Sequence, residues 1–135
     1  MKIKTSELVG AKLDYAVALC EGKNFRIKEK DDLTKHVVEM LAIPCPDKKP
    51  GCCVAHFKLE YYSPSTNWSQ GGPIIEWAGI DMYLHETPKT SAQNDYWTAL
   101  RGFLNTSGDT LLVAAMRCYV ASKLGNEVEV PEDLR

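Results

Sequence analysis

The chain has 135 residues, 44% hydrophobic and 25% charged, a composition that excludes disordered, collagenous and membrane-spanning proteins. That length suits one domain, read as residues 1–135, and folding can bury about two thirds of the unfolded surface without metal or disulfide. Sixteen basic against eighteen acidic side chains leave a net charge of -2, which excludes holding nucleic acid by bulk electrostatics.

At the N-terminus, MKIKTSEL carries a charge every second or third residue and no apolar run, so neither a signal peptide nor a membrane anchor is expected and the protein is read as cytoplasmic. Val9, Leu13, Ala16, Val17 and Cys20 recur at helical spacing, with Ser6 as the expected cap and Gly22 as the stop. Phe25 to Lys28 alternates as a short strand. Asp32 is read as the cap of a second helix carrying Leu33, Val37, Met40 and Leu41, ended by Pro44. Pro44 to Gly51 reads as a surface loop, and Val54 to Tyr62 as a strand with one mostly polar face.

Ser63 to Pro73 is expected to be a polar loop, Ile74 to Trp77 a short turn or strand, and Ile80 to Leu84 a strand. Tyr96 to Leu104 fits either a helix or a strand. From Thr110 to Leu124, eleven of fifteen residues are apolar, with Asp109 as the expected cap and Gly125 beyond the end; such a helix must be largely buried. Val128 to Val130 adds a last strand. The fold class is therefore α+β: a small, mainly antiparallel sheet with a long buried C-terminal helix and an N-terminal helix packed on one face.

The candidate binding segment is Tyr62 to Pro73. Tyr62, Ser65, Thr66, Asn67, Trp68 and Gln70 offer hydroxyls, amides and stacking faces, and Gly71 with Gly72 would let backbone N–H groups approach a ligand closely. Those parts suit a planar, polar ligand such as a nucleobase. The competing interpretation has Asn, Ser and Thr satisfying the loop's own backbone while Trp68 plugs a core gap. Arg117 stands among Val113, Ala114, Val120, Ala121 and Leu124 and needs an acceptor there, with Glu76, Asp81, a backbone carbonyl or a ligand anion as candidates.

Five cysteines, Cys20, Cys45, Cys52, Cys53 and Cys118, are expected to be free thiols. Cys45, Cys52, Cys53 and His56 could supply four zinc ligands, but their C-x6-C-C-x2-H spacing is a poor match to paired-cysteine knuckles, so no metal is expected. His36, His56 and His85 form no HExxH pattern, and neither G-x-S-x-G nor G-x-G-x-x-G occurs. No cofactor is implied and no catalytic residue is assigned.

Three stretches carry a family resemblance: MKIKTSELVGAKLDYAVALCEG at the start, SPSTNWSQGGPIIE followed by Gly79 and Ile80 in the middle, and DTLLVAAMRCYVASKLGNEVEVPEDL at the end. In these the chain resembles the small NinX-like proteins of lambdoid and related enterobacterial phages, a domain of unknown function. The likeness does not extend to Lys23–His56, and Trp77 and Ala78 stand where relatives tend to carry charged residues. The resemblance implies a phage origin among accessory genes and supplies no catalytic residues. The reading is a binding protein that sequesters a nucleotide-like small molecule, such as a host immune signal, with no membrane or nucleic-acid partner and with a homo-oligomer suiting so small a domain. Two alternatives stand beside it: a protein–protein module anchored by Trp68, Trp77 or Tyr62, and a nucleotide-processing enzyme with Glu76 or His85 as base.

Overall fold

The computed structural model describes residues 1–31, 34–43, 56–90 and 92–134. Strand β1 (Lys2–Lys4) leads through a 3-10 turn (Thr5–Glu7) into α1 (Gly10–Glu21), followed by β2 (Phe25–Asp31), β3 (Thr34–Ile43) and β4 (His56–Tyr61). Helix α2 (Trp68–Ala78) comes next, then β5 (Asp81–His85), β6 (Tyr96–Arg101), β7 (Leu104–Gly108), α3 (Leu111–Leu124) and β8 (Glu127–Glu129). The strands make three small antiparallel sheets, β1–β8, β2–β3–β4 and β5–β6–β7, so the architecture is α+β.

Helix α3 is the centre. Ala114, Ala115, Met116, Cys118, Tyr119 and Val120 are all buried, because α1 and α2 pack on it from one side and β6 and β7 from the other. Its apolar circumference is thereby used along most of its length, with Leu124 at its end left exposed. Thr110, not Asp109, is its cap, the hydroxyl accepting from the Val113 N–H at 3.2 Å. On the far side Leu13, Ala16 and Val17 of α1 join the same core. Ser6 does not cap α1: it lies in the 3-10 turn, and Val9 precedes the helix with no side-chain cap.

Two expectations are corrected. The helix expected from Asp32 is a strand over Thr34–Ile43; Asp32, Leu33 and Pro44 lie outside the described residues. Val37, Met40 and Leu41 fit helical spacing, yet the segment is also rich in β-branched residues and is hydrogen-bonded on both edges, to β2 and β4. That pairing, together with burial of both Val37 and Val38, outweighs the local pattern.

The loop and turn expected from Ser63 to Trp77 are mostly helix. Asn67 caps it, its Oδ1 accepting from the Ser69 N–H at 3.0 Å, and Gly79 closes it with a φ of 65°. Ile80 N–H reaches Ile75 O at 3.2 Å and Gly79 N–H reaches Glu76 O at 3.3 Å, satisfying two terminal carbonyls. Gly-Gly-Pro disfavours a helix locally; burial of Gly71, Ile74 and Ala78, with α2 packed on α3, offsets that cost. The ambiguous stretch from Tyr96 resolves into β6 and β7, joined at Gly102, whose φ is 62°.

Candidate functional site

Tyr62 leaves β4 with its N–H bound to Val37 O at 2.9 Å and its ring buried at 3% exposure. The chain then turns on Ser63 O, which accepts from Thr66 N–H at 3.0 Å and Asn67 N–H at 2.8 Å. Gln70 reaches back from α2: its Nε2 donates to Tyr61 O at 2.8 Å and its Oε1 accepts from Ser63 N–H at 2.7 Å. Ser65 N–H donates to Asp14 Oδ1 at 2.9 Å, tying the turn to α1. Burial of Asp14 pushes its carboxyl up to about 6, against the opposing effect of the Ser65 N–H and hydroxyl.

Three cavities surround this turn. The first, about 260 Å³, lies between α1, β3 and α2 and is lined by Glu21, Lys23, Glu39, Tyr62, Gln70 and Trp77 among others. A second, about 350 Å³, is bordered by Asp14, His36, Tyr61, Tyr62, Ser63 and Thr66. The third, about 270 Å³, places Ser65, Thr66 and Trp68 against the start of α3.

Chemistry concentrates in the first. Lys23 Nζ donates to Glu39 Oε1 at 2.9 Å and lies 5.3 Å from the Tyr62 ring centre. Trp77, 57% exposed, meets Tyr119 edge-on at 5.7 Å. Glu21 Oε1 and the Tyr62 hydroxyl are buried with no hydrogen-bond partner among the described residues. Burial raises both the Tyr62 and Tyr119 hydroxyls above the ordinary phenol range, helped at Tyr119 by a hydrogen bond to the Glu21 side chain and at both by the charge of that carboxylate, so both stay protonated. Buried polar groups are ordinarily paired, so two unpaired ones lining one cavity point to a polar group that belongs there.

The candidate residues from the sequence are thus divided. Tyr62 and Gln70 line the first cavity, Tyr62 and Thr66 the second, and Ser65, Thr66 and Trp68 the third. Asn67, Gly71, Gly72, Glu76 and Arg117 line none of these three. Asn67 and Gln70 use their amides on the segment itself, as helix cap and turn brace. A Cβ on Gly71 would lie 2.4 Å from Pro64 O, so that glycine serves close packing and not the approach of a ligand. Arg117 pairs with neither Glu76 nor Asp81; its Nε donates to Leu8 O at 2.9 Å and its Nη1 to Ser107 O at 2.8 Å. Glu76 is exposed on α2, and His85 stacks on Tyr96 at 4.7 Å in another sheet.

Glu21, Lys23, Glu39 and Asp14 were missed from sequence, and Trp77 was named there only as an anchor of the protein–protein alternative. Asp14 alone left a local trace, a carboxylate followed three and four residues later by the core residues Val17 and Ala18. Among the described residues no cluster of His, Cys, Asp and Glu could hold a metal ion; Cys45, Cys52 and Cys53 lie outside them, while Cys20 and Cys118 are free thiols. Within the same residues no helix is long and apolar enough to cross a membrane.

Comparison with curated proteins finds no match. A family model described as Bacteriophage P22, NinX matches residues 4–123. That span takes in α1, the Tyr62–Trp77 segment and nearly all of α3, and the chain belongs to this NinX family of phage proteins.

Proposed function

We propose that this phage protein is a non-catalytic binder that sequesters a small nucleotide-like molecule, such as a host immune signal, in the cavity between α1, β3 and α2, acting in the host cytoplasm as a counter-defence factor. The observation that carries the reading is the buried, unpartnered Glu21 Oε1 and Tyr62 hydroxyl beside the exposed face of Trp77. An aromatic face next to unpaired polar groups suits a planar ring with a polar edge. At about 260 Å³ the cavity falls just below the range of roughly 300–1,000 Å³ typical of drug-sized ligands, which fits one base-sized ring and leaves the rest of a nucleotide outside. Sequestration needs no chemistry, and the two residues weighed as bases, Glu76 and His85, do not line this cavity.

Thermal shift against a panel of nucleosides, nucleotides and cyclic nucleotide signals tests this. A ligand at 100 times its dissociation constant adds about 2.7 kcal/mol and is recovered chemically unchanged. A panel with no stabilising member, or one whose stabilising member is converted to product, overturns the reading. A protein–protein module is the second reading, favoured by Trp68 at 58% exposure and by Phe103, fully exposed at the β6–β7 turn. Such aromatics are common anchors of interfaces.

A further inference from the structure

We infer that the outward face of the β2–β3–β4 sheet is a docking surface for an acidic, amphipathic segment of a partner protein, with an apolar side chain seated on Val38, Met40 and Leu59 and carboxylates against Arg26 and Lys28. This surface is separate from the cavity between α1, β3 and α2 and does not depend on the nucleotide-like reading.

Strand alternation sorts this sheet by charge. Phe25, Glu39 and Glu60 pair across the strands in one row and Ile27 with Val37 in another, and Phe25, Ile27 and Val37 pack into the core. The intervening rows, Arg26–Val38–Tyr61, Lys28–His36 and Met40–Leu59, therefore point outward. With Glu39 and Glu60 on the core side, these outward rows hold two cations and no carboxylate. Lys23 and Lys35 are paired, with Glu39 and Asp133. Arg26 and Lys28 are exposed, and neither side chain has an ion pair or a hydrogen bond among the described residues.

Between the two cations and β4 runs a groove of about 510 Å³, lined by Arg26, Ile27, Lys28, Val38, Met40 and Leu59. Val38 is buried there and Leu59 is 48% exposed, so the groove is aliphatic on one side and cationic on the other. Alternate residues of a strand lie about 6.5–7 Å apart, which matches Arg26 and Lys28 to two carboxylates on alternate residues of an extended segment. The aliphatic side calls for an apolar side chain, which a chain of phosphates lacks. Tyr61 is the single exposed ring in these rows and meets His36 edge-on at 5.8 Å, whereas single-stranded nucleic acid is held by successive stacking faces. A second copy docking by the same face would bring no carboxylate to either cation.

Selection of a random peptide display library on the full chain, followed by fluorescence anisotropy with the enriched peptides, tests this. The expected sequences set Asp or Glu beside Leu, Ile, Phe or Trp and bind more weakly as salt rises. The double variant Arg26→Glu, Lys28→Glu should weaken them by about tenfold or more, because attraction becomes like-charge repulsion, with the melting temperature held since both side chains are exposed and unpaired. Leu59→Ser should also weaken them about tenfold through lost apolar burial. An enriched peptide remade with Lys at every acidic position should bind the double variant and not the wild type, a rescue that a damaged fold cannot give. No enrichment, enriched sequences without acidic residues, or affinities unmoved by the double variant or by Leu59→Ser overturn the inference. Oligothymidylate or phosphatidylglycerol vesicles that bind the wild type more tightly than the peptides, and lose it in the double variant, overturn it in favour of a nucleic acid or a membrane surface.

Discussion

Replacing Gly71 and Gly72 separately by alanine should affect stability very unequally, although the two are neighbours in one helix. Helix propensity favours alanine by about 1 kcal/mol at either position. At Gly72 the added Cβ meets, apart from its chain neighbours, only Trp68 Cε3 at 3.9 Å, but the ring of Pro73 crowds the Cβ of a helical residue before it, so most of that gain is cancelled. At Gly71 it lies 2.4 Å from Pro64 O and 2.8 Å from Leu112 Cδ2. The Leu112 methyl can swing away, but the Pro64 carbonyl belongs to a turn held by the Ser63–Asn67 hydrogen bonds and by Asp14 through Ser65. Overpacking of this kind costs typically about 1–3 kcal/mol. With the propensity gain subtracted from the upper part of that range, Gly71→Ala should lose about 1–2 kcal/mol while Gly72→Ala stays within about 0.5 kcal/mol of wild type. Urea unfolding measures both, and in a domain of this size each kcal/mol corresponds to roughly 3–4 °C in the melting temperature. A Gly71→Ala protein as stable as wild type would refute the close approach of α2 to Pro64, and with it the assignment of this glycine to packing.

Arg117→Ala should cost about 2–3 kcal/mol, because Leu8 O and Ser107 O both lose their charged donor, and Arg117→Lys should recover little since an ammonium cannot reproduce the fork; unchanged denaturant midpoints would contradict this. Asp14 has a folded-state pKa of about 6 against an ordinary 3.8, so its contribution to stability is present below about pH 4 and is lost as pH rises through 6. Asp14→Asn should therefore gain on wild type above pH 6, by about 2–3 kcal/mol at most, with the difference vanishing near pH 4; a pH-independent difference in melting temperature would show that the carboxyl does not titrate there. Thr110→Ala should cost about 0.5–2 kcal/mol as a lost cap while Asp109→Ala stays within about 0.5 kcal/mol, and the reverse ranking in thermal unfolding would restore Asp109 as the cap.

Legibility followed the range of the forces. The buried α3 was readable because its apolar circumference and its stop at Gly125 lie within one short segment; even there the cap was displaced by one residue, from Asp109 to Thr110. At the candidate site, Tyr62 and Gln70 were readable from their chemistry, yet the environment of the Gln70 amide was not. Whether an amide faces a ligand or braces its own turn depends on where Tyr61 O and Ser63 N–H come to lie, and that is set by β4.

By itself, then, the sequence determined α1 and α3, the β4 strand, the α+β class and the likeness to a phage family, because each is written in periodicity or in contiguous residues. Tertiary structure alone decided the rest. Thr34–Ile43 became a strand through hydrogen bonds to strands on either side of it, which its own periodicity does not show, and Trp68–Ala78 became a helix, despite Gly-Gly-Pro, by burying one face against α3. The cavity is the plainest case: Glu21 ends α1, pairing of Phe25 with Glu39 brings Lys23 within reach of the Glu39 carboxylate, and Tyr62 is held there by Val37 O. No spacing along the chain encodes that meeting, because antiparallel register and helix docking, both non-local, are what bring these side chains together.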